Sequence, residues 1–98
     1  MKPVWIYILE CADGSYYTGI TTQIERRLAE HQIGDGSAWT QRRLPVKLVF
    51  FEEMPDYDSA FLAERRIKGW SRAKKKALID GRWDLLRWLA KKPAFRKK

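Results

Sequence analysis

Residues 5–31, WIYILECADGSYYTGITTQIERRLAEH, hold two aromatic-rich strand patterns, a turn and an amphipathic helix, and the other segments of the chain can be placed around them. Val4, Ile6 and Ile8 alternate with Trp5, Tyr7 and Leu9; after Asp13-Gly14 a second β-favouring run, Tyr16-Tyr17-Thr18, closes on Gly19. Such runs on either side of a turn predict an antiparallel hairpin. Its register matters, because side chains alternate across a strand. A two-residue Asp-Gly turn would send Tyr7 and Tyr17 to opposite faces, whereas a hairpin centred on Ala12, with a three- or five-residue loop, sets the two rings directly opposite one another. The longer loop is expected.

The helix after the hairpin has a start signal in Thr22 and Glu25, three residues apart, which fit a capping box. Ile24 and Leu28 form its apolar stripe, and Arg27 and His31, also four apart, form a polar stripe beside it. Arg27 is thereby aimed at a groove shared with the hairpin and Arg26 elsewhere. Two tyrosines, an arginine and a histidine on three adjoining elements are the side chains that phosphodiester chemistry requires.

Downstream, the loop from Gly34 to Arg43 carries glycines, hydroxyls, Trp39, Thr40, Arg42 and Arg43, a set that could wrap a phosphate, with Trp39 either stacking on a base or sealing the core. Lys47 to Glu53, KLVFFEE, reads as a third strand, apolar on both faces and so expected to be central or well covered. Asp58 or Ser59 then caps a helix whose buried face is expected at Phe61, Leu62, Ile67 and Trp70. Glu64 lies three residues from both Phe61 and Ile67, which turns it towards the buried side, and it can also pair with Lys68 four residues on. Ser71 caps a further helix from Arg72 to Asp80, stopped by Gly81; Arg82 to Lys92 reads as a last amphipathic helix with Leu85, Leu86, Trp88 and Leu89 inward.

Ninety-eight residues suit one small domain, expected over residues 1–92, with a basic disordered tail at residues 93–98. One cysteine excludes an internal disulfide, and with one histidine the chain lacks the ligands of a structural zinc site. No segment reads as a signal peptide or membrane span, so a cytoplasmic protein with no membrane contact is expected. The net charge of +8 is segregated: residues 1–64 carry six Lys/Arg against ten Asp/Glu, and residues 65–98 carry fourteen against two. A basic half is what a polyanion partner requires.

Tyr7 in Trp5-Ile6-Tyr7, Tyr17-Thr18-Gly19, Arg27 and then His31, followed by the run Arg42 to Val49 and by Ala63-Glu64-Arg65-Arg66-Ile67-Lys68, is an ordered set. It resembles the GIY-YIG nuclease superfamily, and specifically its small stand-alone bacterial members of unassigned role. The resemblance implies an α/β (α+β) fold, a small three-stranded antiparallel sheet flanked by helices, here with extra basic C-terminal helices. It further implies hydrolysis of phosphodiester bonds with Mg²⁺ or Mn²⁺ bound by Glu64. One tyrosine of the Tyr7/Tyr17 pair would accept a proton from water, the other would orient water or phosphate, Arg27 would hold the phosphate, and His31 would support the water network or leaving group. Two departures stand out: Trp5 occupies the place of the family's first glycine, and Ile20 and Thr21 follow Gly19 where some members have a lysine that assists the base.

Nucleic acid is the expected partner, DNA before RNA, with contacts from Thr40, Arg42, Arg43, Lys68, Arg72, Lys74 and Lys75. Two other readings fit the same residues: a nucleic-acid-binding module without turnover, and a protein-interaction domain or dimer using Trp83 and Trp88.

Overall fold

The structure is a computed structural model of the 98-residue chain and describes residues 3–82. Three strands, β1 (Val4–Glu10), β2 (Tyr16–Thr21) and β3 (Lys47–Met54), form an antiparallel sheet in the order β2-β1-β3. Helices α1 (Ile24–Gln32), α2 (Ala38–Gln41), α3 (Tyr57–Lys68) and α4 (Arg72–Ile79) complete an α+β fold. The chain divides into two compact units, one ending at Lys68 and one starting at Gly69, and each is described by itself.

The central strand is β1, whose run Ile6, Tyr7, Ile8 and Leu9 is buried on both faces. KLVFFEE, expected to be central or well covered, is instead an edge strand with Phe51 55% exposed. An apolar run shows what can be buried and not which run the sheet buries, and β1 has the longer one. A bulge between Ile8 and Leu9 shifts the β3 register, so Phe51 faces Tyr7 and Leu48 faces Leu9.

The hairpin loop runs through five residues, Cys11 to Ser15, the longer of the two expected lengths. It is centred one residue later than Ala12. Tyr7 pairs with Gly19 and Leu9 with Tyr17, so the tyrosines share a face as diagonal neighbours and are not directly opposite. The reason lies at Gly19: a Cβ there would stand 2.5 Å from the Tyr7 hydroxyl oxygen and 2.6 Å from Cζ, so the ring of Tyr7 lies over a bare backbone.

On that face Tyr7, Leu9, Cys11 and Val46 form a core against which Tyr17, Ile24, Leu28, Leu44 and Leu48 pack. Ile24 and Leu28 are the stripe expected of α1, but its start differs from the expected capping box. Gln23 is the N-cap and makes no side-chain cap bond; its N–H donates instead to Thr21 Oγ1 at 3.0 Å, so the turn closes one residue earlier. At the other end Gly34 and Asp35 donate back to the carbonyls of His31 and Glu30, ending the helix just past the site.

Helix α3 packs on all three strands and is capped by Asp56, whose Oδ1 accepts from Ser59 N at 2.7 Å, in place of Asp58 or Ser59. Its inward residues are Ala60 and Ile67, while Phe61 and Leu62 are exposed. Small alanines at positions 60 and 63 let the helix backbone approach the sheet, and the two large side chains turn outward. In the second unit Ser71 caps α4 by accepting from Lys74 N at 3.2 Å, Ala77 and Leu78 are buried, and the Lys74 ammonium lies 4.6 Å from the centre of the half-buried Trp70 ring. The expected helix from Arg82 to Lys92, Trp83 and Trp88 within it, and the tail at 93–98 lie outside the described residues, save for Arg82. Among the described residues no helix is long and apolar enough to cross a membrane.

Candidate active site

Tyr7, on the central strand, points its hydroxyl to His31 Nε2 at 3.0 Å, and His31, on α1, is completely buried. On the far side of the imidazole, Nδ1 lies 2.9 Å from Thr40 Oγ1, which also sits 2.9 Å from Ser37 Oγ and 3.3 Å from the Ser37 carbonyl. Thr40 has a single hydroxyl proton; with that proton on the Ser37 carbonyl, as the 3.3 Å contact allows, Thr40 Oγ1 accepts from His31 Nδ1–H. That leaves His31 Nε2 as the acceptor of the Tyr7 hydroxyl proton, an assignment made from the bonding pattern.

Backbone close to the ring makes this burial possible. A Cβ at Gly36 would overlap the Nδ1 and Cγ atoms of His31, so glycine is the residue that lets the loop close over the imidazole. Helix α2, inside the segment read from sequence as a loop, begins at Ser37, whose Oγ accepts from Thr40 N at 3.1 Å and so sets Thr40 against His31. Thr40 was expected at the nucleic-acid surface. It is completely buried and bonded within this network, which removes it from any surface contact.

Arg27 lies one turn before His31. Its guanidinium donates to Glu30 Oε1 at 3.0 Å and to the Gly36 carbonyl at 3.2 Å, and its side chain keeps about a third of its exposure. Glu30 also takes Arg26 Nε at 3.3 Å. A cleft of about 240 Å³ opens here, lined by Ile20, Thr21, Arg26, Arg27 and Glu30 among others. Glu30 was missed in the sequence, although its spacing of three and four residues from the two arginines is the usual signal for helix ion pairs.

Tyr17 is half-buried, its ring 5.2 Å from that of His31 and stacked on Trp39 at 5.9 Å and 28°. Trp39 in turn lies under the Arg43 guanidinium, 3.9 Å from its ring centre. Arg43 further donates to Asp13 Oδ2 at 3.2 Å and to the Trp39 carbonyl at 2.7 Å, pinning the hairpin turn to the loop, while Arg42 is exposed. Among the described residues the buried side-chain polar atom without a hydrogen-bond partner is Thr18 Oγ1.

Glu64 on α3 is only 15% exposed and pairs with Lys68 Nζ at 3.2 Å. Its charge is felt at Tyr7. Burial chiefly pushes the Tyr7 phenol up to about 12, Arg27 opposes this, and the neighbouring Tyr17 and the Glu64 carboxylate add to it. Burial, then Arg27, pushes His31 below its usual range and keeps it neutral, while Glu30 first and Tyr7 second hold Arg27 firmly charged. Tyr7, Arg27 and His31 thus form one electrostatic cluster, with Tyr17 against the His31 ring and Glu64 the weakest of the influences on Tyr7. Arg72, Lys74 and Lys75 lie on α4 in the second unit, where burial lowers the Lys75 pKa.

A family model for the GIY-YIG catalytic domain matches residues 3–77. The chain belongs to the GIY-YIG family. Its relatives include a UPF0213 protein of Halobacterium salinarum, 49% identical over 76% of this chain and 96% of the other. A UPF0213 protein of Streptococcus sanguinis is 46% identical over 80% and 90%. Among solved structures, the solution structure of an E. faecalis protein matches with a TM-score of 0.59 at 37% identity, covering 83% of this chain and 86% of that one. That of a UPF0213 protein from Bacillus halodurans matches with a TM-score of 0.53 at 41% identity, covering 80% and 83%. The GIY-YIG domain is a nuclease-type catalytic domain, its members in general acting on nucleic acid and depending on divalent metal. In this member the two name-giving triplets are Trp5-Ile6-Tyr7 and Tyr17-Thr18-Gly19, and the last glycine is the one beneath the Tyr7 ring.

Proposed function

We propose that this protein hydrolyses phosphodiester bonds in nucleic acid, with DNA the first substrate to test and RNA the second. The observation that carries the reading is the buried Tyr7–His31–Thr40 chain beside Arg27 and within the field of Glu64. A free tyrosine, with a pKa of about 10, is a poor base at neutral pH, and Tyr7 is poorer still. Its bond to a neutral histidine solves this. As the attacking water gives its proton to the Tyr7 oxygen, the Tyr7 proton passes to His31 Nε2, and no free phenolate accumulates.

The water oxygen forms its bond to phosphorus, the bond to the leaving oxygen breaks, and that oxygen takes a proton from solvent. Arg27, preset by Glu30 and Gly36, grips the phosphate and stabilises the charge that develops there. Tyr17, its ring against that of His31, orients the water or phosphate. Thr40 fixes the tautomer of His31 and touches no substrate.

Among the described residues no group of three or more His, Cys, Asp or Glu could hold a metal ion. A cation here would be held by Glu64 alone among side-chain carboxylates, a donor set that suits Mg²⁺ or Mn²⁺, which keep several waters. Once bound, the ion would supply positive charge to the scissile phosphate.

A second reading, a nucleic-acid-binding module without turnover, has one observation in its favour: Glu64 is already ion-paired with Lys68. The two separate in a cleavage assay on labelled single-stranded, duplex and branched DNA and on RNA, with Mg²⁺, Mn²⁺ or EDTA. Metal-dependent cleavage by the wild type, reduced about 100-fold or more in Arg27→Ala and lost in Glu64→Ala, is the expected result. Salt-sensitive binding without cleavage would replace it with the second reading.

A further inference from the structure

Helix α3 exposes what a small protein would be expected to bury. Tyr57 is 59% and Phe61 42% exposed, and their rings lie 6.3 Å apart and nearly parallel, at 13°. One turn further the Arg65 guanidinium stands 5.7 Å from the centre of the Phe61 ring. The spacing of 57, 61 and 65 makes one continuous stripe along the helix. Glu64, three residues after Phe61, borders it on the side of the buried face, with Lys68 across the ion pair. None of these side chains is used by the chemistry proposed above except Glu64.

Rings that face water add little to the stability of the fold, and the basic residues that follow them in the last turn, Arg65, Arg66 and Lys68, set the charge of whatever covers them. Flat aromatic faces interleaved with cations match a chain of unpaired nucleotides, whose bases stack on the rings while the phosphates meet the cations. We propose that Tyr57, Phe61 and Arg65 form a stacking track for the unpaired nucleotides that flank the scissile phosphate. The track starts beside Glu64, so a strand lying on it is delivered to the metal-binding carboxylate. The proposal rests on the nuclease reading for its account of that carboxylate and on the α3 surface alone for its account of binding.

The test is fluorescence anisotropy in EDTA, where no turnover occurs, with a labelled 12-mer of deoxythymidine and a duplex of equal length. The proteins are wild type, Phe61→Ala, Phe61→Trp, Phe61→Leu, Tyr57→Ala and Arg65→Gln, each checked for folding by circular dichroism. Phe61→Ala should weaken single-strand binding roughly 5- to 100-fold, the range for loss of one stacked base, and leave the duplex unchanged. Phe61→Trp should bind as well as wild type and Phe61→Leu should not, since a ring is needed and mere apolar bulk is not.

Equal loss on single strand and duplex, no loss on either, or full binding by Phe61→Leu would overturn the track. So would a wild-type dimer that Phe61→Ala converts to monomer with binding intact, which would make the stripe a contact between copies. If the wild type cleaves while the stripe variants bind normally, the track fails and the nuclease reading stands. If the wild type binds through the stripe but cleaves nothing, the reverse holds.

Discussion

His31 is neutral because it is buried beside Arg27, and this gives the fold a pH limit. Its folded-state pKa lies below the unfolded value of about 6.5, so the unfolded chain binds the proton more readily. The stabilisation is complete above that value and declines as pH falls from it towards the depressed folded pKa. Urea midpoints measured from pH 8 to pH 5 should therefore drop on the acid side, and His31→Asn should flatten the drop. Tyr7 has the opposite sign: raised to about 12, it favours the fold fully below pH 10 and loses that contribution as pH rises towards 12. Thr18 provides a stability test away from the site. Its hydroxyl is buried without a partner, and Thr18→Val should raise stability by about 1 kcal/mol, read as a higher melting temperature. Gly36→Ala should do the reverse, costing about 1–3 kcal/mol, because the new methyl meets the His31 ring.

The elements explain how much of this was legible. The hairpin and α1 could be read from alternation and from i,i+4 spacing, and with them the residues Tyr7, Tyr17, Arg27 and His31. Register could not, because it depends on the Tyr7 ring lying over Gly19, a contact between residues on different strands. The place of β3 in the sheet was hidden for a similar reason: Phe50 and Phe51 are apolar whether a strand is central or at the edge. The inward face of α3 turned on Ala60, whose small size lets the helix approach the sheet, whereas hydrophobicity alone favoured Phe61 and Leu62. Thr40 looked like a surface hydroxyl until Ser37 and Gly36 brought it against His31. Helix starts show the same contrast. Ser71→Ala should cost α4 about 1 kcal/mol by removing a formed cap, while Thr22→Ala should change stability by less than about 0.5 kcal/mol, since the expected capping box is absent. Chemical denaturation of the two variants side by side checks both.

At the scale of the molecule, the +8 net charge is concentrated after Glu64, and the candidate reaction centre lies in the unit before Gly69. Binding to nucleic acid should accordingly fall steeply with salt, log Kd rising linearly with log salt concentration, and replacing Lys74 and Lys75 with glutamine should reduce the slope. Binding alone, however, does not test the claim that a buried Tyr7–His31 pair moves the proton in hydrolysis. The measurement that does is the single-turnover cleavage rate of Tyr7→Phe beside wild type, on the same substrate with Mg²⁺. Phenylalanine keeps the ring over Gly19 and removes only the hydroxyl that meets His31. The account predicts a folded protein that binds nucleic acid as wild type does and cleaves it about 100- to 10,000-fold more slowly. Wild-type cleavage by folded Tyr7→Phe would contradict it.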